Sequence, residues 1–359
     1  MNSNPVVPAA QAEAQPSSSV PESGDGVLID VKDLSMHFVT RKGIRARVVS
    51  NVRAVENVTL EIRDGEALGL VGETGCGKTT LGRCIVRAYE PTSGQILYRQ
   101  SDGAVIDAAK LSKKQLKAYQ GDVRLVFQDP YSSLNPRMTL LEIIGEPLLM
   151  HGMSSRTDRE DKVSELLEKV GLRPEFMRRY PHAFSGGQRQ RVSIARALAL
   201  DPRMVIADEA VSALDVSVRA QILNLLEDLQ AQSQLTYLMI THDLSVVDYL
   251  CQRVAVMYLG RVVELADTQA VYGNPQHPYT EALLSAIPKP DPRLRGSRLR
   301  IPARGEMPDA GNAPAGCPFH TRCSYVKDIC KVEVPPLRET APGQWAACHR
   351  AEELTLVPM

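Results

Sequence analysis

The sequence predicts an α/β fold in which an open sheet carries its ligand at the carboxyl ends of the strands. Three observations predict it. The apolar run ALGLV at residues 67–71 leads into a glycine-rich turn and then a helical run, in ALGLVGETGCGKTTLGRCIV. A second apolar run, MVIADE at 204–209, ends in two acids, and VRLVF and TYLMIT run into Gln128 and His242. In an open α/β sheet such strand-end side chains can converge on one ligand.

Of the 359 residues 43% are hydrophobic, enough for a buried core in one large domain or two. Residues 1–26, rich in Ala, Pro and Ser and lacking a periodic apolar face, are expected to be a disordered tail. From Val27 the composition changes. VLIDVKDLSMHFV and NVTLEI read as strands from their alternation and β-branched content.

Lys plus Arg and Asp plus Glu both total 42, so no net basic field is available to hold nucleic acid or an anionic membrane at long range. No run approaches the eighteen or so apolar residues that cross a bilayer, and no basic segment followed by an apolar one opens the chain. A cytoplasmic location is therefore expected. Thiols stay reduced there, which argues against disulfides among Cys317, Cys323, Cys330 and Cys348.

The stretch GETGCGKT satisfies G-x-x-x-x-G-K-S/T in the strand–turn–helix context that this motif needs. Gly72, Gly75 and Gly77 permit tight or left-handed backbone, so the amides of Glu73, Thr74, Cys76 and Thr80 among others can surround phosphate oxygens at a helix N-terminus. Lys78 is placed to reach the β- and γ-phosphates, and the Thr79 hydroxyl to bind Mg²⁺. Asp208 suits the Mg²⁺ shell, with Gln128 as a further ligand, and Glu209 suits a base on the attacking water. Two adjacent acids ending an apolar strand rarely serve packing, because ionised groups are costly to bury without partners.

FSGGQRQRVSIARALAL places a Gly-Gly turn before a helix with an apolar face. It closely resembles the signature of ABC ATPases, with Phe184 where leucine is commoner. The P-loop, Gln128, the Asp208-Glu209 pair, Ser212-Ala213-Leu214-Asp215 and His242 follow in that family's order, over about residues 27–274. The resemblance implies a P-loop ABC ATPase with a RecA-like mixed sheet, an antiparallel β subdomain, a helical signature subdomain at about 129–200, and a small C-terminal Cys-rich module. The nucleotide-binding domain would span 27–275 and the extension 276–359.

The resemblance also implies a head-to-tail dimer. ATP would lie between one subunit's P-loop and the signature residues Ser185, Gly186, Gly187 and Gln188 of the other, with Ser212 to Asp215 as the D-loop between them. Glu209 would be the general base and His242 would hold the γ-phosphate and water. Phe38 sits where the family stacks an aromatic on adenine. One departure is Ala210-Val211, where the family usually has Pro-Thr; both acids remain, so an active site is expected.

One P-loop, one signature and no inserted heptad arm argue against a twin-domain translation factor or a chromosome-organising protein. QDPYSSLNPRMTLLEIIGEPL and NPQHPYTEALLSAIPKPDP resemble ATPases of the dipeptide/oligopeptide/nickel importer family, most nearly the second ATPase of such pairs. That resemblance implies a partner ATPase, two membrane permease subunits against the helical subdomain, and a periplasmic or lipid-anchored solute-binding protein, with no nucleic acid, at the cytoplasmic face of the bacterial inner membrane. Peptide is the implied solute; an opine, glutathione or a nickel chelate are the alternatives. A nucleic-acid-stimulated ABC ATPase and a catalytically silent regulatory subunit are two further readings.

Cys76, Cys84 and Cys251 read as small packing residues. Cys317, Cys323, Cys330 and Cys348 follow C-x5-C-x6-C-x17-C in a Pro- and Gly-punctuated region not expected to fold on a core of its own. This is not the C-x2-C pairing of common zinc ribbons. Thiolates suit zinc or an iron–sulfur cluster equally well by chemistry. The resemblance implies a 4Fe–4S cluster, acting as a staple, with Zn²⁺ or unligated thiols as alternatives; His320 and His349 flank the four and read as loop histidines.

Overall fold

The structure, a computed structural model, describes residues 26–42, 47–129, 133–287 and 305–358. The tail expected to be disordered lies outside these, apart from its last residue. So do Pro130, Tyr131 and Ser132 and the end of the SAIPKPDP stretch.

Two sheets form the frame. β1 (Val27–Lys42), β2 (Arg47–Arg63), β4 (Ser93–Arg99) and β5 (Val105–Asp107) make an antiparallel sheet in the order β2-β1-β4-β5. The larger sheet contains β3 (Ala67–Val71), β6 (Val123–Val126), β7 (Met204–Asp208), β8 (Thr236–Thr241), β9 (Arg253–Tyr258), β10 (Arg261–Asp267), β11 (Arg338–Ala341) and β12 (Gln344–Ala346). Its order is β11-β12-β10-β9-β3-β8-β7-β6. β9, β3, β8, β7 and β6 are parallel; β10, β12 and β11 are antiparallel additions at one edge. The mixed sheet and the antiparallel β subdomain are thus as the resemblance implies.

Every residue of β3, β7, β8 and β9 is buried, as parallel strands covered on both faces require. Alternate residues feed different cores. Leu68 and Leu70 of β3 join the antiparallel sheet and the helix α1 (Lys78–Ile85) on one face. Ala67 and Val71 join the opposite face, against α6 (Val216–Ser233) and α7 (Leu244–Leu250). α2 (Lys113–Asp122) follows β5 and leads into β6.

Among the described residues between Gln128 and the signature, two α-helices precede the signature helix. α3 (Leu140–Met150) and α4 (Arg156–Lys169) pack on α5 (Gly186–Leu198), burying Ile143, Val163, Leu166, Val192 and Ala195. α3 begins in a capping box, in which Thr139 and Glu142 satisfy each other's backbone N–H groups.

The C-terminal extension is less separate than a small module suggests. α8 (Thr268–Gly273) and α9 (Pro278–Ser285) lead into it, and α10 (Ile329–Val332) carries Cys330. Glu264 of β10 pairs with Ala346 and Leu265 with Trp345, so the last hairpin extends the nucleotide-binding sheet itself. Cys317, Phe319 and Cys330 belong to the main core. The described part of the region thus shares the main core.

Candidate active site

β3 ends at the P-loop, β7 at Asp208, β8 before His242 and β6 just before Gln128, all on one edge of the sheet. The glycines of the loop have steric reasons. At Gly72 (φ 151°) a Cβ would stand 2.2 Å from the Met257 carbonyl oxygen, and at Gly77 (φ 110°) 2.2 Å from that of Ala54. Only glycine fits either position. The loop is therefore clamped between β9 and β2.

Lys78 is 4% exposed, and its Nζ donates to the carbonyls of Gly72 (2.7 Å) and Glu73 (2.9 Å). The ammonium is held at the loop's concave side by neutral acceptors, which an anionic phosphate can outcompete. The Thr79 hydroxyl donates to Asp208 Oδ1 at 2.9 Å, so two oxygens suited to Mg²⁺ already converge. Burial pushes the Asp208 carboxyl above its ordinary range, and the adjacent Glu209 adds to this. A divalent cation would reverse that cost.

Glu209 has a φ of 47°, an uncommon left-handed conformation for a side-chain-bearing residue, and its N–H donates to the Ile240 carbonyl at 2.8 Å. Its carboxylate lies between Gln128, whose Nε2 donates at 2.7 Å, and His242, whose Nδ1 lies 3.2 Å away. Three strand ends separated by up to 114 positions thus meet on one carboxylate. Ser212 donates its hydroxyl to the Glu209 carbonyl, and Arg219 of α6 pairs with Asp243 at 2.6 Å, tying the segment after Glu209 to the histidine loop. Ala210 and Val211 are buried, so the departure there meets packing rather than the ligand.

A cavity at this edge is lined by Thr74, Gly75, Gly77, Lys78, Thr79, Thr80, Gln128 and Glu209. Val52, Ala54 and Ala310 complete its wall. Glu73 and Cys76 do not line it: the Cys76 side chain is buried beneath the loop, and Glu73 faces the C-terminal extension. Phe38 lies beside the cavity rather than on its wall, one strand from Val52, with its ring edge-on to Tyr89 at 5.7 Å. Gln128 bonds Glu209 here, and Thr79 alone is hydrogen-bonded to Asp208 among the expected Mg²⁺ ligands.

Ser185, Gly186, Gly187 and Gln188 lie elsewhere, at the start of α5, and none of them lines the cavity. Ser185 and Gln188 form a reciprocal capping box, with N···O distances of 3.1 and 3.3 Å. Gly187 packs closely on α6: a Cβ there would lie 2.3 Å from Val218 Cγ1. Asp215 caps α6 by accepting from the Val218 N–H, a bond that holds its carboxyl below the ordinary range. One chain therefore presents a signature helix N-terminus separate from its own phosphate loop.

All seven cysteines are unpaired. Cys76, Cys84 and Cys251 are buried packing residues, as expected. Cys317, Cys323, Cys330 and Cys348 line a single small cavity. The Tyr325 N–H points at Cys323 Sγ and the Arg350 N–H at Cys348 Sγ, both at 3.4 Å. Burial pushes the Cys317 thiol up to about 12 and that of Cys348 to about 11, and their thiol neighbours add to the shift. Even so, among the described residues no group of three or more His, Cys, Asp or Glu side chains is gathered so as to hold a metal ion. The four thiols expected to ligate a metal share one cavity without being gathered into such a group. His320 and His349 direct ring nitrogens at the carbonyls of Cys317 and Glu333.

The sequence reading missed Tyr279, Arg322, Val52, Ala54, Met307 and Ala310. Each touches or walls the P-loop from a distant part of the chain, and no local motif marks them.

The fold and this edge of the sheet define a P-loop ATPase whose signature helix stands apart from its phosphate loop. The ABC transporter family pattern matches residues 55–212, and that of the oligopeptide/dipeptide transporter C-terminal region matches 263–330. The chain is 50% identical over 322 residues to the oligopeptide transport ATP-binding protein AppF of Bacillus subtilis, covering 90% of this chain and 97% of that one. It is 48% identical over 323 residues to a putative peptide import ATP-binding protein of Brucella ovis, covering 90% and 98%. A solved dimer of the ATP-binding cassette MJ0796 with ADP and Pi superposes with a TM-score of 0.58 at 29% identity, over 67% of this chain and 99% of that one. The cbiO1 subunit of a Clostridium perfringens ABC transporter complex gives 0.57 at 25% identity, over 69% and 91%. The chain belongs to the ABC transporter ATP-binding family, in the branch that carries the oligopeptide/dipeptide C-terminal region.

Proposed function

We propose that this chain is the ATP-hydrolysing subunit of a bacterial ABC importer of di- or oligopeptides, working at the cytoplasmic face of the inner membrane. The observation that carries the reading is the pairing of an intact ATP edge, with Lys78, Thr79, Asp208, Glu209, Gln128 and His242 converged, with the C-terminal region that this branch carries. No helix among the described residues is long and apolar enough to cross a membrane, and in this reading membrane partners supply the passage. Two permease subunits and a second ATPase are those partners, with a solute-binding protein delivering the peptide.

In this reading Glu209 takes the proton from the attacking water, and His242 and Gln128 hold the carboxylate and water in place. Lys78 and the loop amides bind the phosphates, and Phe38 takes the adenine from the side. Thr79 and Asp208, with Gln128 nearby, would hold Mg²⁺, whose charge would offset that on the transferring phosphoryl group. The partner's signature completes the site: a signature serine with its helix N-terminus offers donors that the chain's own edge lacks. Hydrolysis then opens the interface, since the shared γ-phosphate contacts are lost.

In the same reading Cys317, Cys323, Cys330 and Cys348 would be the ligands of a 4Fe–4S cluster. A shared cavity and N–H groups aimed at two of the sulfurs support this. The cluster would supply a structural staple and a counter-charge to buried thiolates.

Reconstitution tests the proposal. The purified chain, a partner ATPase and two permeases in proteoliposomes should hydrolyse ATP faster when a peptide-loaded binding protein is added. Stimulation by nucleic acid in place of that complex would overturn it. Anaerobic purification should give a brown protein with about four iron and four sulfide; a colourless protein with one zinc would sink the cluster.

A further inference from the structure

The P-loop residue Glu73 is gripped by the C-terminal extension at both ends. Its backbone N–H donates to the Tyr279 hydroxyl at 2.8 Å, and its carboxylate pairs with Arg322 Nη1 at 3.1 Å. Its carbonyl accepts from Lys78 Nζ and from the Cys76 N–H, inside the loop itself. A single residue therefore connects the phosphate-binding lysine to side chains 206 and 249 positions away.

Those side chains are held firmly. Arg322 is 7% exposed, and its guanidinium lies over the Tyr258 ring at 5.8 Å. Tyr279 is fully buried, its ring 4.7 Å from that of Tyr258, with Phe319 against both. The buried Arg322 guanidinium is costly to leave unpaired, so the half-buried Glu73 is drawn to one place. The extension also reaches the mouth of the site: the Met307 methyl lies against Gly75, and Ala310 is part of the cavity wall.

We propose that Tyr279 and Arg322 are positioning residues for the P-loop, and that through Glu73 the C-terminal extension sets the chain's affinity for nucleotide. The inference needs only nucleotide binding at the P-loop; it is independent of the solute and of what the four cysteines hold. Ordered this way, the loop presents its amides in a fixed cradle, and less conformational freedom is lost when phosphate arrives.

The test is a double-mutant cycle on the full chain, read as the Kd for a fluorescent ADP analogue with Mg²⁺, well below the melting temperature. Glu73→Gln and Arg322→Gln should each weaken binding by about three- to tenfold, and the double variant no more than the weaker of them, because they share one contact. Tyr279→Phe, which removes one hydroxyl and keeps the ring stack, should weaken it about threefold. In the assembled transporter Tyr279→Phe should raise the KM for ATP more than it lowers kcat. Unchanged Kd values with a lowered Tm, or additive effects in the cycle, would overturn the proposal. Should Arg322→Gln fail to fold, Glu73→Gln and Tyr279→Phe still decide it: normal affinity in both refutes positioning.

Discussion

Glu209 combines an acidic side chain with a backbone conformation that side chains seldom adopt. Holding it there costs about 1–3 kcal/mol, which the surrounding bonds to Ile240, Gln128, His242 and Ser212 must offset. A residue so constrained is one whose direction matters. Glu209→Gln keeps size and hydrogen bonding but removes the carboxylate proposed as the base, so steady-state ATPase activity of the assembled transporter should fall roughly 10²–10⁴-fold while ATP still binds. Phosphate-release kinetics beside nucleotide binding would check both halves. At this scale the sequence was informative: Lys78, Thr79, Asp208, Glu209, Gln128 and His242 stand in motifs, and they do meet. Arg322 and Tyr279 were invisible because their importance lies in what they touch, and their neighbours in the chain give no sign of it.

At the scale of elements, the signature helix and the helix after the D-loop are packed too closely for any side chain at Gly187. Gly187→Ala should force α5 and α6 apart against the branched Val218, destabilising the chain by about 1–3 kcal/mol. Val218→Ala opens the room the new methyl needs, so the pair Gly187→Ala/Val218→Ala should regain much of the loss, measured by thermal denaturation. Strand boundaries were less legible than motifs. NVTLEI marks only the end of β2, which runs from Arg47 to Arg63. Its earlier half is polar and basic in alternation with valine, and its pairing with β1 shifts register several times, so the period-2 pattern is broken. β11 and β12 are short and escape periodicity altogether; their place beside β10 follows from tertiary packing.

At the scale of the whole molecule, the extension is joined to the ATPase core through buried polar groups. Glu264 of β10 is fully buried and accepts from the backbone N–H groups of Gln276 and His277, where the core leads into α9. Burial raises its carboxyl to about 7, against an ordinary value of 4.5. The sign follows from linkage: the folded chain prefers the protonated acid, so this contribution is fully present below the unfolded value and is lost as pH rises through about 7. Stability should therefore decline between about pH 4.5 and 7 by an amount on the order of 3 kcal/mol from this group. Glu264→Gln should flatten that part of the profile, read as Tm against pH. Nothing in the sequence around Glu264 announces the effect, since an acid within an apolar strand looks the same whether it faces water or a buried amide pair.

The antiparallel edge has a further consequence for how the chain comes into being. β3 waits for β8 and β9, and β10 has no second partner until residues 344–346 have left the ribosome. During synthesis the nascent sheet thus carries an open strand of mostly buried character, Arg261–Asp267, over nearly eighty residues of further elongation. At about 5–20 residues per second that is several seconds of exposure. The last hairpin acts as a closing stitch, and a ribosome stalled before it would leave behind an ATPase core with an adhesive edge, a substrate for chaperones rather than a working motor.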